Sequence, residues 1–108
     1  MKKLLAALAL TASTAAQAQV MTGNDWLSRY HAPESLNRMQ ALGYVGGVVD
    51  SSTRNCAPST VTVGQISDMT SRLITETPGS RHLPASAFIN AVLEAAWPCK
   101  QPARRENL

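Results

Sequence analysis

Apolar residues recur at steps of three and four along most of the chain, which is the spacing of an amphipathic α-helix. The longest such run extends from Leu36 to Val49. The segment YVGGVV within it could pass for a buried strand, but the helical period continues upstream without a break. We therefore predict a helix here. No stretch of alternating polar and apolar residues is long enough to predict a strand.

Signals at helix ends predict three further helices. Asn24 is a candidate N-cap for a short first helix, and a T-x-x-Q capping box of Thr62 and Gln65 begins another that ends before Pro78. Pro84 opens the last helix, which the segment WPC ends. We predict an all-α domain, a small bundle of about four helices of which the first is short.

Three glycines, Gly43, Gly46 and Gly47, interrupt the long apolar run. Each costs about 0.5–1 kcal/mol relative to alanine inside a helix, so their presence needs a reason. They lie close together on one side of the helix, which predicts a smooth strip where the backbone of the alanine-rich last helix approaches closely. The alternative is that glycine is simply tolerated near a helix end.

The first residues have the pattern of a cleaved secretory signal peptide: two lysines, a short apolar stretch and the small-residue site AQA. The apolar stretch is too short for a membrane anchor, so we expect no membrane association after cleavage. We predict a signal peptide at 1–18, a helical domain at 19–100 and a flexible tail at 101–108. Export of this kind predicts a periplasmic protein.

The mature chain of about 90 residues predicts one small domain with a thin core. Its two cysteines, Cys56 and Cys99, predict a disulfide in an oxidising compartment, which would stabilise the fold by about 4 kcal/mol. The alternative is two free, buried thiols. After the signal peptide leaves, eight basic and seven acidic residues give a net charge of +1, which argues against a nucleic-acid partner.

No motif indicates catalysis. The histidines, His31 and His82, have no thiolate or carboxylate cluster beside them that would make a zinc site. A G-x-S-x-G nucleophile elbow is absent, and GYVGG lacks the lysine of a phosphate-binding loop. We predict a protein that is not an enzyme and has no metal or other cofactor.

Candidate contact residues lie in two places. The segment TETPGSRHLP puts Glu76, Ser80, Arg81 and His82 on a turn braced by prolines, which predicts a rigid surface of hydrogen-bonding groups. A solvated connector is the alternative for this turn. Among the aromatic residues we assign Phe88 and Trp97 to the core, while Trp26 and Tyr30 on the first helix are candidates for a contact surface.

The ordered segments GNDWL, LGYVGGVVD, CAPSTVTVGQ, ETPGSRHLPA and AVLEAAWPC resemble the Rap/Tai family of type VI secretion immunity proteins. The similarity spans nearly all of the mature chain. Its strongest parts are Gly43-Tyr44 with Gly47, Cys56 with Pro58, Gln65, Pro78, and Pro98-Cys99.

The resemblance implies an all-helical periplasmic protein, often a homodimer, that binds and blocks a peptidoglycan amidase delivered by neighbouring bacteria. In that family a projecting loop enters the cleft of the toxin. The matching turn here runs from Gly79 to His82, with Glu76 beside it. Many relatives carry a second cysteine pair, whose places are filled here by residues such as Tyr30 and Ala41, so we expect a less firmly attached first helix.

Two other functions remain open at this point. One is a small periplasmic helical chaperone or stress protein of the acid-resistance type, which is also held by one disulfide. The other is a minor enzyme or assembly factor of the cell wall, which would need a paired carboxylate or histidine site. The leading hypothesis is a stoichiometric protein inhibitor. This function accounts for the signal-peptide pattern, for a small domain held by a predicted disulfide, and for the lack of a catalytic motif.

Overall fold

The computed structural model describes residues 20–53 and 55–100, and α-helices dominate them. These are α1 (Gly23–Tyr30), α2 (Ser35–Ser51), α3 (Val63–Glu76) and α4 (Ala85–Ala96), with a single 3-10 turn at Pro78–Ser80. The only β-type pairing in the described ranges is an isolated bridge between Thr22 and Pro84. The predicted all-α bundle with a short first helix is confirmed. The predicted signal peptide and C-terminal tail lie outside the described residues.

A capping box begins both α1 and α3. The Thr62 hydroxyl accepts from the Gln65 backbone N–H at 3.1 Å, and the Gln65 side chain accepts from the Thr62 N–H at 2.8 Å. Thr22 and Asp25 make the equivalent pair at 3.1 and 3.2 Å. Each box satisfies two backbone donors that have no partner inside the helix. The box of α3 is as predicted, whereas the prediction of Asn24 as the first N-cap is wrong by two residues.

The core lies between the four helices. Trp26 is completely buried, and its indole Nε1–H donates to the Ala41 carbonyl at 3.0 Å, so this ring is a core residue and the expectation of a contact surface is wrong for it. Trp97, assigned to the core, is half-buried at the end of α4. The buried apolar residues are Trp26, Ala41, Val45, Ile66, Ile74, Ala85, Phe88, Ile89, Val92 and Leu93.

The inward side of α4 is made of its larger residues. Ile89 and Leu93 are buried, whereas Ala91 and Ala95 face outward. This orientation is the more stable one, because burying an isoleucine or a leucine removes more apolar surface from water than burying an alanine does. The alanine-rich side of α4 is therefore on the surface of the chain.

The predicted close approach of another helix at the α2 glycines is wrong within this chain. A Cβ atom built at Gly43 or Gly47 would meet nothing within 4 Å, and one at Gly46 would meet only the Val63 Cγ2 at 3.9 Å. The reason is that α2 turns its opposite side, with Ala41 and Val45, into the core. Gly43 and Gly47 face outward, and Gly46 is half-buried.

The predicted disulfide is confirmed. Cys56 and Cys99 are bonded, with their Cα atoms 5.3 Å apart and a separation of 43 positions in sequence. The bond joins the segment between α2 and α3 to the chain just after α4, and both cysteines lie at the surface. It closes a covalent loop that contains α3 and α4. Within the described ranges no helix is long and apolar enough to cross a membrane.

We predict that Gly43→Ala and Gly47→Ala each stabilise the folded chain by about 0.5–1 kcal/mol, because the new methyl group meets open space and alanine favours the helix. Gly23→Ala is the matched opposite case. Its Cβ would lie 2.9 Å from the Phe88 ring and 3.1 Å from the Arg81 carbonyl oxygen, so we expect a loss of about 1–3 kcal/mol. Urea denaturation at low protein concentration measures all three; destabilisation by either α2 substitution would contradict the exposed placement.

Reduction of the disulfide should lower the free energy of unfolding by about 4 kcal/mol, because the unfolded chain regains the entropy of a 43-residue closed loop. Denaturation with and without a thiol reductant measures this difference. A double variant, Cys56→Ser with Cys99→Ser, is the control and should match the reduced protein while ignoring the reductant. Equal stability of the oxidised and reduced wild type would refute the expectation that the disulfide stabilises the fold.

Candidate functional site

The segment that joins α3 to α4, residues 77–84, is called the α3–α4 loop below and holds most of the predicted contact residues. Its backbone bonds to itself: the Ser80 N–H donates to the Thr77 carbonyl, and the Leu83 N–H to the Ser80 carbonyl, each at 3.0 Å. The Thr77 hydroxyl also donates to the Leu73 carbonyl of α3 at 2.8 Å. The loop is thus a folded turn with its polar backbone groups engaged.

Arg81 fastens this loop to the end of α3. Its Nε donates to the Ile74 carbonyl at 3.0 Å, and its Nη2 donates to the Thr75 carbonyl at 2.9 Å. These are carbonyls of the last helical turn, which lack partners inside the helix, and the positive charge suits the negative end of the helix dipole. Arg81 therefore serves as a positioning residue for the loop, with two of its donors committed within the chain.

The start of α1 holds the loop from the other side. The Gly23 N–H donates to the Leu83 carbonyl at 2.9 Å, and the Asn24 N–H donates to the Arg81 carbonyl at 3.0 Å. Both donors belong to the first turn of α1 and have no acceptor inside that helix. The Ala85 N–H completes the pairing by donating to the Met21 carbonyl at 2.8 Å.

The predicted contact residues divide into exposed and half-buried groups. The structure brings them together at one end of the molecule, on the α3–α4 loop and the last turn of α3. Leu83, which the sequence analysis missed, is 41% exposed. The sequence feature that could have identified Leu83 is its place as an apolar residue in an otherwise polar turn. The exposed residues are Glu76, Gly79, His82 and Leu83, and the half-buried ones are Ser80 and Arg81.

Two shallow apolar grooves run beside the loop, between α3 and α4. The groove nearer the loop has a volume of about 230 Å³, and its neighbour one of about 420 Å³. Leu73 and Ala91 line both, so the grooves adjoin. The small alanine side chains on the outer side of α4 leave this space open. Arg72 and Glu76 place charges at the second groove.

Side chains of α1 attach it to α3 without a disulfide. The Tyr30 ring stacks on Trp26 with ring centres 4.8 Å apart, and its hydroxyl donates to the Asp68 carboxylate. His31 Nε2 and Ser71 Oγ, one turn along α3, lie 3.0 Å apart in a hydrogen bond. These contacts attach α1 to α3, although the chain has only the one pair of cysteines.

The serine and histidine in these contacts do not have the geometry of a catalytic triad. Asp68 binds the Tyr30 hydroxyl, and Ser71 is buried against the core. A nucleophile needs a reachable oxygen and a base oriented by its own acid. The arrangement is typical of a contact between two helices. No group of three metal-binding side chains occurs among residues 20–53 and 55–100.

The environment of Tyr30 raises its pKa from the ordinary value of 10.0 to about 12. Burial of the phenol is the largest cause, followed by the hydrogen bond to Asp68 and the negative charge of that carboxylate. All three disfavour the phenolate. The neutral phenol is thus the form that donates to Asp68 at neutral pH.

A protein-family model described as Rap1a immunity proteins matches residues 22–99 of this chain. The match runs from the cap of α1 to the second cysteine, so it includes all four helices, the disulfide and the α3–α4 loop. No curated protein and no solved structure matches the chain.

We predict that Tyr30 ionises with a midpoint near pH 12 in the folded protein. Its raised pKa contributes stability that is fully present below about pH 10 and is lost as the pH rises towards 12. Ultraviolet absorbance of the phenolate measures the midpoint, with Tyr30→Phe as the control that isolates this residue. Asp68→Asn should lower the midpoint while leaving the contribution of burial. An ordinary midpoint in the folded wild type would contradict the contact with Asp68.

Proposed function

Because the chain belongs to the Rap1a immunity protein family, we propose that this immunity protein acts in the periplasm on a peptidoglycan amidase delivered by a type VI secretion system. The family match is the observation that carries the immunity role. The amidase target rests on the ordered residue pattern shared with the Rap/Tai proteins. The periplasmic location rests on the signal-peptide pattern at the start of the chain.

The proposed action is occlusion: the α3–α4 loop enters the active-site cleft of the amidase and blocks it. Such inhibition needs a rigid loop, because ordering a mobile segment on binding weakens affinity. Arg81 and the start of α1 fix this loop before any partner arrives. Gly79 adds no side chain at the exposed turn, so the backbone there can come close to the walls of a narrow cleft.

The apolar grooves beside the loop extend the proposed contact surface. Leu83 and the groove at Leu73 and Ala91 offer apolar area next to the polar residues of the turn. Protein interfaces are strongest where an apolar centre is surrounded by polar contacts. The loop would block the cleft, and the grooves would receive side chains at its rim.

We also propose a homodimer, which the family resemblance implies. The chaperone and cell-wall enzyme alternatives are set aside, because the family match is to immunity proteins.

We predict that Gly79→Glu weakens binding to the cognate amidase at least about 100-fold, a loss of about 2.7 kcal/mol. The substituted side chain meets open space, and no described glycine has a positive φ, so the fold should tolerate it. The larger charged residue would obstruct entry of the loop. Calorimetric titration of the amidase effectors of competing bacteria measures affinity, and survival in co-culture measures protection.

Ser59→Glu is the matched control, because it adds the same charge at an exposed residue of the segment between α2 and α3. It should leave both affinity and protection unchanged. Equal binding by wild type and Gly79→Glu would refute the loop as the inhibitory element. Failure of the wild type to bind or inhibit any of these amidases would refute the proposed target.

A further inference from the structure

The Cys56–Cys99 disulfide lies at the surface of the folded protein. Both cysteines are exposed, and so are Pro58 and Pro98 close beside them. A disulfide is broken when a thiolate attacks one of its sulfur atoms, so the rate depends on access to that sulfur. Exposed disulfides are the ones that are readily reduced and that serve in regulation. A reductant can therefore reach this bond while the protein stays folded.

The disulfide fastens the segment before α3 to the chain after α4. Residues 55–61 make internal hydrogen bonds, from the Val61 N–H to the Pro58 carbonyl at 3.0 Å and from the Ala57 N–H to the Asn55 side chain at 3.0 Å. Ala57 and Val61 pack against the core, but both are only half-buried. Reduction removes the covalent link that holds this segment in place.

The disulfide and the α3–α4 loop lie at opposite ends of α3 and α4. Cys56 precedes α3 and Cys99 follows α4, whereas the loop joins the other two ends of these helices. The 14 residues of α3 put about 21 Å of helix between them. The loop itself is held by Arg81 and by the start of α1. Reduction should therefore loosen the far end of the helix pair and leave the loop in place.

We propose that the disulfide is a redox-sensitive switch, opened in the folded protein by a dithiol reductant. A thiolate of the reductant forms a bond to the Cys56 sulfur, the bond between the two cysteines breaks, and Cys99 leaves as a thiolate that takes up a proton. The second thiol of the reductant then displaces Cys56, so the dithiol is oxidised to a disulfide and the protein gains two thiols. Lys100 favours Cys99 as the leaving group, because its positive charge directly after Cys99 stabilises the departing thiolate.

Opening of the switch changes the lifetime of the protein more than its contact surface. Loss of a closed loop of this size raises the fraction of unfolded chains roughly 1000-fold, and unfolded chains are the ones that proteases degrade. Chains that remain folded keep the α3–α4 loop. The inference concerns the disulfide alone, so it does not rest on the proposed function, and its tests need no toxin.

Reduction kinetics test whether the folded protein is attacked. With excess dithiothreitol, the native protein should lose its disulfide at a rate within about tenfold of the rate in concentrated urea. If the chain had to unfold first, the native rate would be lower by about 1000-fold or more, because so few chains are unfolded at any time. A difference larger than about tenfold would overturn the proposal.

Trapping experiments test which sulfur is attacked. Glutathione has a single thiol and stops at the mixed disulfide, which peptide mass spectrometry should find on Cys56. Lys100→Glu should slow reduction by dithiothreitol at least about threefold. Arg72→Glu is the matched control, since it makes the same charge change at an exposed residue of α3, and it should leave the rate unchanged. Equal trapping on both cysteines, or equal slowing by both variants, would overturn the assignment of Cys99 as the leaving group.

Order parameters from ¹⁵N relaxation test which end of the molecule loosens. On reduction, the amides of Ala57 and Val61 should fall below about 0.6, while those of Ser80 and Leu83 stay near about 0.85. A double variant, Cys56→Ser with Cys99→Ser, is the control that holds the open state without a reductant. Unchanged order at Ala57 and Val61, equal loosening of the loop, or complete unfolding of the reduced wild type would each overturn the switch.

Discussion

The backbone pairing between the start of α1 and the α3–α4 loop is the constraint on which the rest of the molecule depends. Three N–H···O hydrogen bonds join residues 21–24 to residues 81–85 and fix the loop; two of them supply acceptors for N–H groups in the first turn of α1, and the third runs from the Ala85 N–H to the Met21 carbonyl. Gly23 is the residue that permits this pairing, because a Cβ there would press on the Phe88 ring and the Arg81 carbonyl. With Arg81 bonded to α3, the loop is held from two directions.

The molecule presents two separate surfaces. One is the loop with the grooves along α3 and α4, and the other is the outer side of α2, where Leu36 and Met39 are exposed. They share no residue, because α2 contributes no lining to those grooves. A change on the outer side of α2 therefore need not alter the loop or its grooves.

The sequence predicted those parts of the fold that depend on local chemistry. The box of Thr62 and Gln65 is local, so the start of α3 was predicted correctly, as was the pairing of the chain's two cysteines. The box at Thr22 uses Asp25 in place of glutamate or glutamine, and the nearby Asn24 was chosen instead. The helical period of α2 was clear, but with apolar residues on both sides it could not tell which side would be buried.

The sequence predicted which residues form the candidate site, but not the hydrogen bonds that hold them or the grooves beside them. Proline, glycine and polar side chains indicated a turn from Glu76 to His82; the structure has a turn there, but Glu76 is the last residue of α3 and the turn begins at Thr77. Some of the bonds that fix the turn are local, but others join it to the start of α1, about 60 positions earlier, and no local sequence pattern predicts such a contact. The grooves were missed because the alanine-rich last helix was predicted to pack closely against the glycines of α2, whereas the residues of α4 in the core include Ile89 and Leu93 and its alanines Ala91 and Ala95 are exposed.

The pairing of the first helix with residues 81–85 also sets the order in which this chain can fold. A polypeptide emerges with its N-terminus first, so α1 appears long before the segment that completes its first turn. The second cysteine appears later still, after all four helices. Neither the first turn of α1 nor the covalent ring can be completed until the segment through Cys99 has emerged, so the last steps of folding wait for that segment.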